Sequence, residues 1–212
     1  DLGASFGYTL PKDKFRQPYI ARQVRVTIPV HLAPLSWASF QLVEGQVDYR
    51  DGIYQNGVID TPFVTVSVDE GITVYDKTTN EAYEDFIQFE DRGDIGNEYI
   101  YFQPKGTEPI YAQLKGYDVL ENNARYAKVL LKHDLTIPVS ADEKLDAEQR
   151  GIIEFMKRDA GRSEELTTIP LETEMTVFVD NPQIRFKTRF TNTAKDHRIR
   201  LLVKTHNTRP SN

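Results

Sequence analysis

The chain has 212 residues, 39% of them apolar and 27% charged, with 26 Lys+Arg against 32 Asp+Glu and no cysteine. At this length about 70% of the unfolded surface can be buried, so a core forms without disulfides or metals and wholesale disorder is excluded. The absence of Cys removes thiol nucleophiles and thiolate metal sites, the net charge of −6 argues against a phosphate-binding surface and so against nucleic acid, and no apolar run reaches the ~18 residues that span a membrane.

The chain starts at Asp1 without Met or a charged-then-apolar leader, and ends in a polar string, so it reads as a piece of a longer protein. The missing leader, the lack of Cys and the lack of Asn-x-Ser/Thr acceptors point to the cytoplasm. Residues 1–23 read as a linker or extended N-terminal segment. Next comes Val24-Arg25-Val26-Thr27-Ile28-Pro29-Val30-His31-Leu32, with every even position apolar. Successive strand side chains point to opposite faces, so this pattern predicts a half-buried strand. Pro29 lacks an N–H and places it at an edge or bulge, with His31 facing outward to solvent.

Further strands are predicted over residues 63–68, 72–75, 99–102, 126–131, 174–179, 184–190 and 199–203. Turn signals fall between them at Asp51-Gly52, Asn56-Gly57, Glu70-Gly71, Lys105-Gly106, Lys115-Gly116 and Asn181-Pro182. One helix near 140–160 interrupts the pattern. Ser140 and Glu143 form a capping box, Leu145, Ile152, Ile153 and Met156 follow at helical spacing, Gly151 is a candidate break and Gly161 the stop. The chain is thus an all-β sandwich or barrel with one short helix, read as a single domain over 1–212.

Charge is concentrated. Residues 81–98 hold seven acids against Arg92, a local −6, while residues 185–200 carry six bases against Asp196. The two segments are either separate solvated faces or neighbours that fix one another. Within the first lies Glu90-Asp91-Arg92-Gly93-Asp94-Ile95-Gly96-Asn97-Glu98-Tyr99, where glycines at 93 and 96 allow positive φ and a tight loop. Asp91, Asp94 and Asn97 could project oxygens to one side. Three chemistries compete: an acidic hairpin loop, a calcium site, and a glycosidase carboxylate pair. If 99–102 is a strand, Ile100 and Phe102 face the core while Tyr99 and Tyr101 face solvent or a sugar-binding cleft. Gly-x-Ser-x-Gly, phosphate-loop and dinucleotide signatures are absent, and the four histidines show no ligand spacing.

The Glu90–Tyr99 run, preceded by Val74-Tyr75-Asp76-Lys77, resembles the hallmark of bacterial-type α-mannosidases of glycoside hydrolase family 38. Thr193-Ala194-Lys195-Asp196-His197-Arg198-Ile199-Arg200 is similar to the Lys-Asp-His-Arg-Leu-Arg segment of the same family, and the resemblance extends from about residue 72 to 205. It implies a β-supersandwich related to galactose-mutarotase-like domains, following a catalytic (β/α) domain and a helical bundle. The parent enzyme would cleave terminal α-linked mannose with retention of configuration. Its zinc ligands and nucleophilic aspartate would lie in those upstream domains, so no residue here is assigned as catalytic or metal-binding. The resemblance carries Tyr99 to the substrate pocket, with Glu98, Asp94 and Asp91 as further substrate contacts and Gly93, Gly96, Arg198 and Arg200 shaping the loop. The family's usual Asp is Asn97 here, which removes a charge and questions any electrostatic role there. Partners would be the α-mannoside and the upstream domains; a homo-oligomeric parent is compatible. Two other readings stay open: a non-catalytic carbohydrate-binding or interdomain module, and a sugar epimerase needing a histidine base beside a carboxylate, for which only His197 next to Asp196 comes near.

Overall fold

In the computed structural model, the described residues are 2–10, 12, 15–26, 28, 30–41, 43, 45 and 51–206. The chain, read above as one domain, divides into two compact units, residues 1–47 and 48–212. In the first, β1 (Gly3–Thr9) and β2 (Gln17–Gln23) pair antiparallel from Gly3↔Gln23 to Thr9↔Gln17, so most of 1–23 is hairpin rather than linker. The strand expected over 24–32 does not form among its described residues, which lie outside any strand, and Val24, Val26, Ile28, Val30 and Leu32 are exposed. Alternation marks a face that could be buried, but no neighbouring strand covers it among the described residues. His31 is exposed but off any strand, and Pro29 lies outside the described residues.

The second unit is a sandwich whose two layers differ in construction. One layer is built on β11 (Tyr126–Pro138) and β12 (Leu166–Phe178), flanked by β10 (Gln113–Asn122) and β13 (Ile184–Arg189) in the order β10-β11-β12-β13. At 13 residues each, the two central strands run about 40 Å. Both extend well past the predicted 126–131 and 174–179. The polar run Lys132-His133-Asp134 hides that alternation continues, with Leu135 and Ile137 still facing inward.

The other layer comes in two pieces. The five-stranded sheet β3 (Tyr54–Gln55), β4 (Val58–Asp60), β5 (Val64–Ser67), β6 (Thr73–Asp76), β7 (Glu81–Tyr83) covers one half of the long strands, burying Ile59, Val66 and Val74 against Val129, Leu131 and Met175. Asn56 and Gly57, at φ 46° and 80°, make the tight β3–β4 turn, as an Asn-Gly pair does when both central residues need positive φ. A three-stranded sheet, β14 (His197–Val203), β8 (Ile87–Gly93), β9 (Ile110–Tyr111), covers the other half, with Phe89 against Leu135, Ile137, Ile169 and Leu171. Each fully buried Leu or Ile here contributes about 1.5–3 kcal/mol. The all-β sandwich expected from the pattern is what forms.

Between β11 and β12 sits the expected helix, shorter than predicted. Helix α1 spans Lys144–Arg150, followed by a single 3₁₀ turn at Phe155–Lys157. The capping box is absent: the N-cap is Glu143 without a side-chain bond, and the Ser140 hydroxyl donates to the Ala141 carbonyl instead. Ile152, Ile153 and Met156 are exposed, because the helix stops before reaching them. The stop is a Schellman motif, with Ile153 N–H donating to Glu148 O and Ile152 N–H to Gln149 O. That geometry favours glycine at 152, but glycine stands one residue early and Ile152 takes φ 56° while 91% exposed. Ile152→Gly is therefore expected to stabilise the unit by about 1 kcal/mol, relieving a β-branched residue in the left-handed region with little packing to lose. Urea unfolding of the pair checks it; equal midpoints would refute the strain.

Candidate functional site

The two charged segments meet as neighbouring strands. β8 pairs antiparallel with β14, placing Glu90 opposite Arg200, Asp91 opposite Ile199 and Gly93 opposite His197, while β9 covers the other edge of β8. The stretch read from sequence as an acidic loop is therefore a buried central strand as far as Gly93. Two adjacent carboxylates tolerate this only because cations arrive from elsewhere.

Glu90 is 2% exposed. Its carboxylate accepts from Arg92 Nε at 2.8 Å and Nη2 at 3.2 Å, from Arg200 Nε at 3.0 Å and also Arg200 Nη2, and from the Tyr111 hydroxyl at 3.3 Å. The Arg92 guanidinium, aided by Arg200 and opposed by burial, holds this carboxyl down at about 2. A depressed carboxylate contributes stability that is present above its unfolded value and lost as pH falls through its folded value. Glu90 is thus expected to withdraw about 3 kcal/mol between pH 4.5 and pH 2. Glu90→Gln should flatten that part of the stability–pH curve, and an unchanged acid limb would contradict the assignment.

Asp91 is fully buried, between Arg162 and His197. Arg162 Nη1 donates to Oδ2 at 2.6 Å, and Oδ1 lies 2.6 Å from His197 Nδ1. His197 Nε2 is 3.0 Å from Asn192 Oδ1, which also accepts the Ala194 N–H. Both ring nitrogens are occupied and the ring is buried, so His197 is not a free base and the epimerase chemistry lacks its central group. Asp91, expected as a substrate contact, lies behind His197 and acts by holding that ring and Arg162. Gly93 makes room for the same arginine: a Cβ there would sit 3.0 Å from Arg162 Cδ and from Pro104 Cγ.

Beyond Gly93 the chain turns tightly. Asp94 Oδ1 accepts the N–H groups of Gly96 and Phe102, Ile95 N–H donates to Phe102 O, and Asn97 N–H to Ile100 O. Asn97 Oδ1 accepts from Tyr99 and Ile100, both at 2.9 Å. Asparagine supplies that acceptor as well as aspartate would, so the swap leaves the turn intact. Gly96 is needed for close approach rather than for positive φ, which neither Gly93 nor Gly96 adopts: a Cβ at 96 would lie 1.8 Å from Ile100 O. Residues 99–102 form this turn and not a strand, so Tyr99 and Tyr101 do not share a face. Tyr101 is half-buried beneath the Arg198 guanidinium, 3.8 Å from its ring centroid, whereas Tyr99 is 86% exposed. Glu98 is exposed beside it. Both Asp91 oxygens are paired within the fold, and Asp94 Oδ1 and Asn97 Oδ1 each accept two backbone N–H groups, so these oxygens serve the turn rather than a calcium ion. Among the described residues no cluster of three or more His, Asp or Glu could hold a metal.

The insertion between β11 and β12 braces the turn from behind. Arg158, buried, donates from Nη1 to Ile95 O at 2.5 Å and Gly96 O at 2.7 Å. Ile95 packs with Ala141, Leu145, Ala160 and Phe102 in a small separate core. Asp196, at φ 52°, joins the parts: its carbonyl accepts from Asp94 N–H at 2.8 Å and its carboxylate from Ala141 N–H at 3.1 Å. Asp94, Gly96, Asn97 and Glu98 thus line an open cleft of about 460 Å³ together with Arg158 and His197. Of the loop-shaping residues expected from sequence, Arg200 holds Glu90 and Arg198 holds Tyr101. Arg158 and Arg162 were not foreseen. The signal available was two arginines four apart around Ala160-Gly161, in a stretch read only as helix and stop.

Residues 1–44 match the family model described as Glycosyl hydrolases family 38 C-terminal domain 1. The chain belongs to glycoside hydrolase family 38, within the C-terminal β-rich part of its enzymes. It is 34% identical over 216 residues to a putative mannosylglycerate hydrolase from Halalkalibacterium halodurans, covering 95% of this chain and 24% of that protein. An α-mannosidase from Enterococcus faecalis V583 superposes with a TM-score of 0.72 at 32% identity, over 94% of this chain and 24% of its own. A family 38 protein from Enterococcus faecalis gives 0.71 at 30%, over 93% and 24%. The chain therefore spans about a quarter of the length of these relatives. No helix among the described residues is long and apolar enough to cross a membrane.

Proposed function

We propose that this chain forms part of the substrate pocket of a family 38 enzyme that hydrolyses α-linked mannose, with the turn at 94–102 presenting Tyr99 to the sugar. The observation that carries this is an exposed tyrosine on a turn fixed from three sides. Its hydroxyl makes no hydrogen bond among the described residues, while Asn97 holds its N–H and Asp94 and Arg158 hold the turn's backbone at Gly96. Such a residue offers a flat apolar face and a free hydroxyl at no cost of reorganisation. Glu98 and Asp94 line the same turn and contribute polar contacts.

The chain supplies positioning rather than chemistry. Among the described residues its two buried acids are both paired with arginine, and Asp91 also with the His197 ring, which fits neither a nucleophile nor a zinc ligand, and the zinc that the family implies would be held by other parts of the enzyme. The isolated 212-residue chain is expected to leave aryl α-mannosides uncleaved; turnover at the rate of an intact enzyme would overturn this division. In the full-length enzyme, Tyr99→Phe is expected to lower kcat/KM about tenfold, the worth of one hydrogen bond, with Tm unchanged because the hydroxyl supports nothing in the fold. Wild-type kinetics in that variant would remove Tyr99 from the pocket.

A further inference from the structure

The loop after α1 exposes apolar side chains although a small core lies directly beneath the helix. Leu145 of α1 is buried in that core, whereas Ile152 is 91% exposed, Met156 56% and Ile153 40%. Ile152 also stands at φ 56° in the Schellman stop, where glycine would carry no strain. A β-branched residue in the left-handed region lowers stability, and a side chain this exposed recovers none of it by packing. Strain of this kind marks a residue whose side chain has a use outside the unit that carries it.

The flanking charges are paired among themselves, Arg150 with Asp146 at 3.7 Å and Lys157 with Glu154 at 3.2 Å. They cancel, so the loop offers a partner an aliphatic centre with no net charge around it. Gln149 before the loop and Arg158 after it both line the cleft beside the Tyr99 turn. One guanidinium clamps loop and turn together: Arg158 Nε donates to Ile153 O at 3.2 Å, and Nη1 to Ile95 O and Gly96 O. A stable complex between separate molecules engages about 20–30 residues a side, far more than three side chains supply. Within one polypeptide the linkage supplies the effective concentration, and a small apolar contact suffices. This chain is about a quarter of the length of its relatives, so most of such a polypeptide lies outside these 212 residues.

We infer that Ile152, Ile153 and Met156 dock into an apolar recess on the catalytic part of the same polypeptide, and through Arg158 fix where the Tyr99 turn stands. The choice of partner rests on the pocket role proposed for Tyr99. The need for an apolar contact rests on the loop alone.

The test reads Met156 in the unaltered sequence. Trypsin cuts after Arg150 and Lys157, isolating Met156 in the peptide 151–157, and the fully buried Met175 serves as internal standard. Dilute hydrogen peroxide should convert Met156 to its sulfoxide readily in the 212-residue chain and about tenfold more slowly in the full-length enzyme, with Met175 slow in both. Photo-methionine incorporated at 156 should cross-link that peptide to the part of the full-length enzyme that carries the nucleophile. Ile152→Gly, which steadies the chain by itself, should speed Met156 oxidation in the full-length enzyme several-fold by removing the docked side chain. Equal oxidation of Met156 in the two proteins, cross-links confined to residues 1–212 or running to a second copy, or no acceleration in Ile152→Gly would overturn the assignment. Protection and the expected cross-link together with wild-type kinetics in Tyr99→Phe would keep the docking and remove only the pocket role.

Discussion

Asp91→Asn is expected to destabilise the unit over 48–212 by about 3–5 kcal/mol, the usual cost of removing one partner from a buried ion pair. Asp91 is the partner that Arg162 has: its Nη1 donates to this carboxylate, while Nε and Nη2 are buried without hydrogen bonds. Asparagine keeps the size of the side chain and removes the charge, so a guanidinium is left in the interior uncompensated. The amide keeps one acceptor oxygen, so it can serve Arg162 or His197 but not both. For a unit of this length the drop amounts to roughly 10 °C in Tm. Adding Arg162→Leu to Asp91→Asn should restore part of the loss, because the stranded charge is then gone. Calorimetry on the two single variants and the double variant decides. A loss below about 1 kcal/mol for Asp91→Asn, or no recovery in the double variant, would mean the pair is not what holds this part of the sheet.

The second large effect is expected at Gly96. Alanine there brings Cβ to 1.8 Å from the Ile100 carbonyl oxygen and 2.9 Å from the Phe102 nitrogen, both backbone atoms that cannot swing aside as a side chain can. The turn must open, breaking the bond from Ile95 N–H to Phe102 O and displacing Phe102 from Asp94. A cost of about 2–3 kcal/mol follows, and Tyr99 moves with the turn. Gly106 provides the contrast, with φ 68° and no atom within 4 Å of where its Cβ would sit. Gly106→Ala should cost only about 1 kcal/mol, from the backbone alone. In the full-length enzyme, Gly96→Ala should lose turnover well beyond its loss of Tm, whereas Gly106→Ala should not. Equal effects at the two glycines would mean that close approach at 96 does not govern the turn.

The strands at 64–67, 73–76, 184–189 and 197–203 were legible because alternation and turn signals agree there. The same alternation misled at 24–32, since it describes which face could be buried and says nothing of whether a sheet lies alongside. Glu90 and Asp91 pointed to a solvated loop because carboxylates rarely enter a core unpaired. Charge segregation left two readings open, and the one in which the acidic and basic segments meet is what forms, with Arg200 on Glu90 as that contact. Which arginine reaches which acid depends on strand register, and Arg162 comes from an insertion with no charge pattern of its own.

The two long strands β11 and β12 serve both halves of the opposite layer at once. Because strand side chains alternate, a slip of one residue in either strand would turn its whole inner row outward, stripping cover from the five-stranded and the three-stranded sheets alike. Neither half can therefore be assembled and kept while the other is wrong. Damage near Phe89 is therefore expected to reach Val129 through the shared strands, and the sandwich to fold as one cooperative body from end to end.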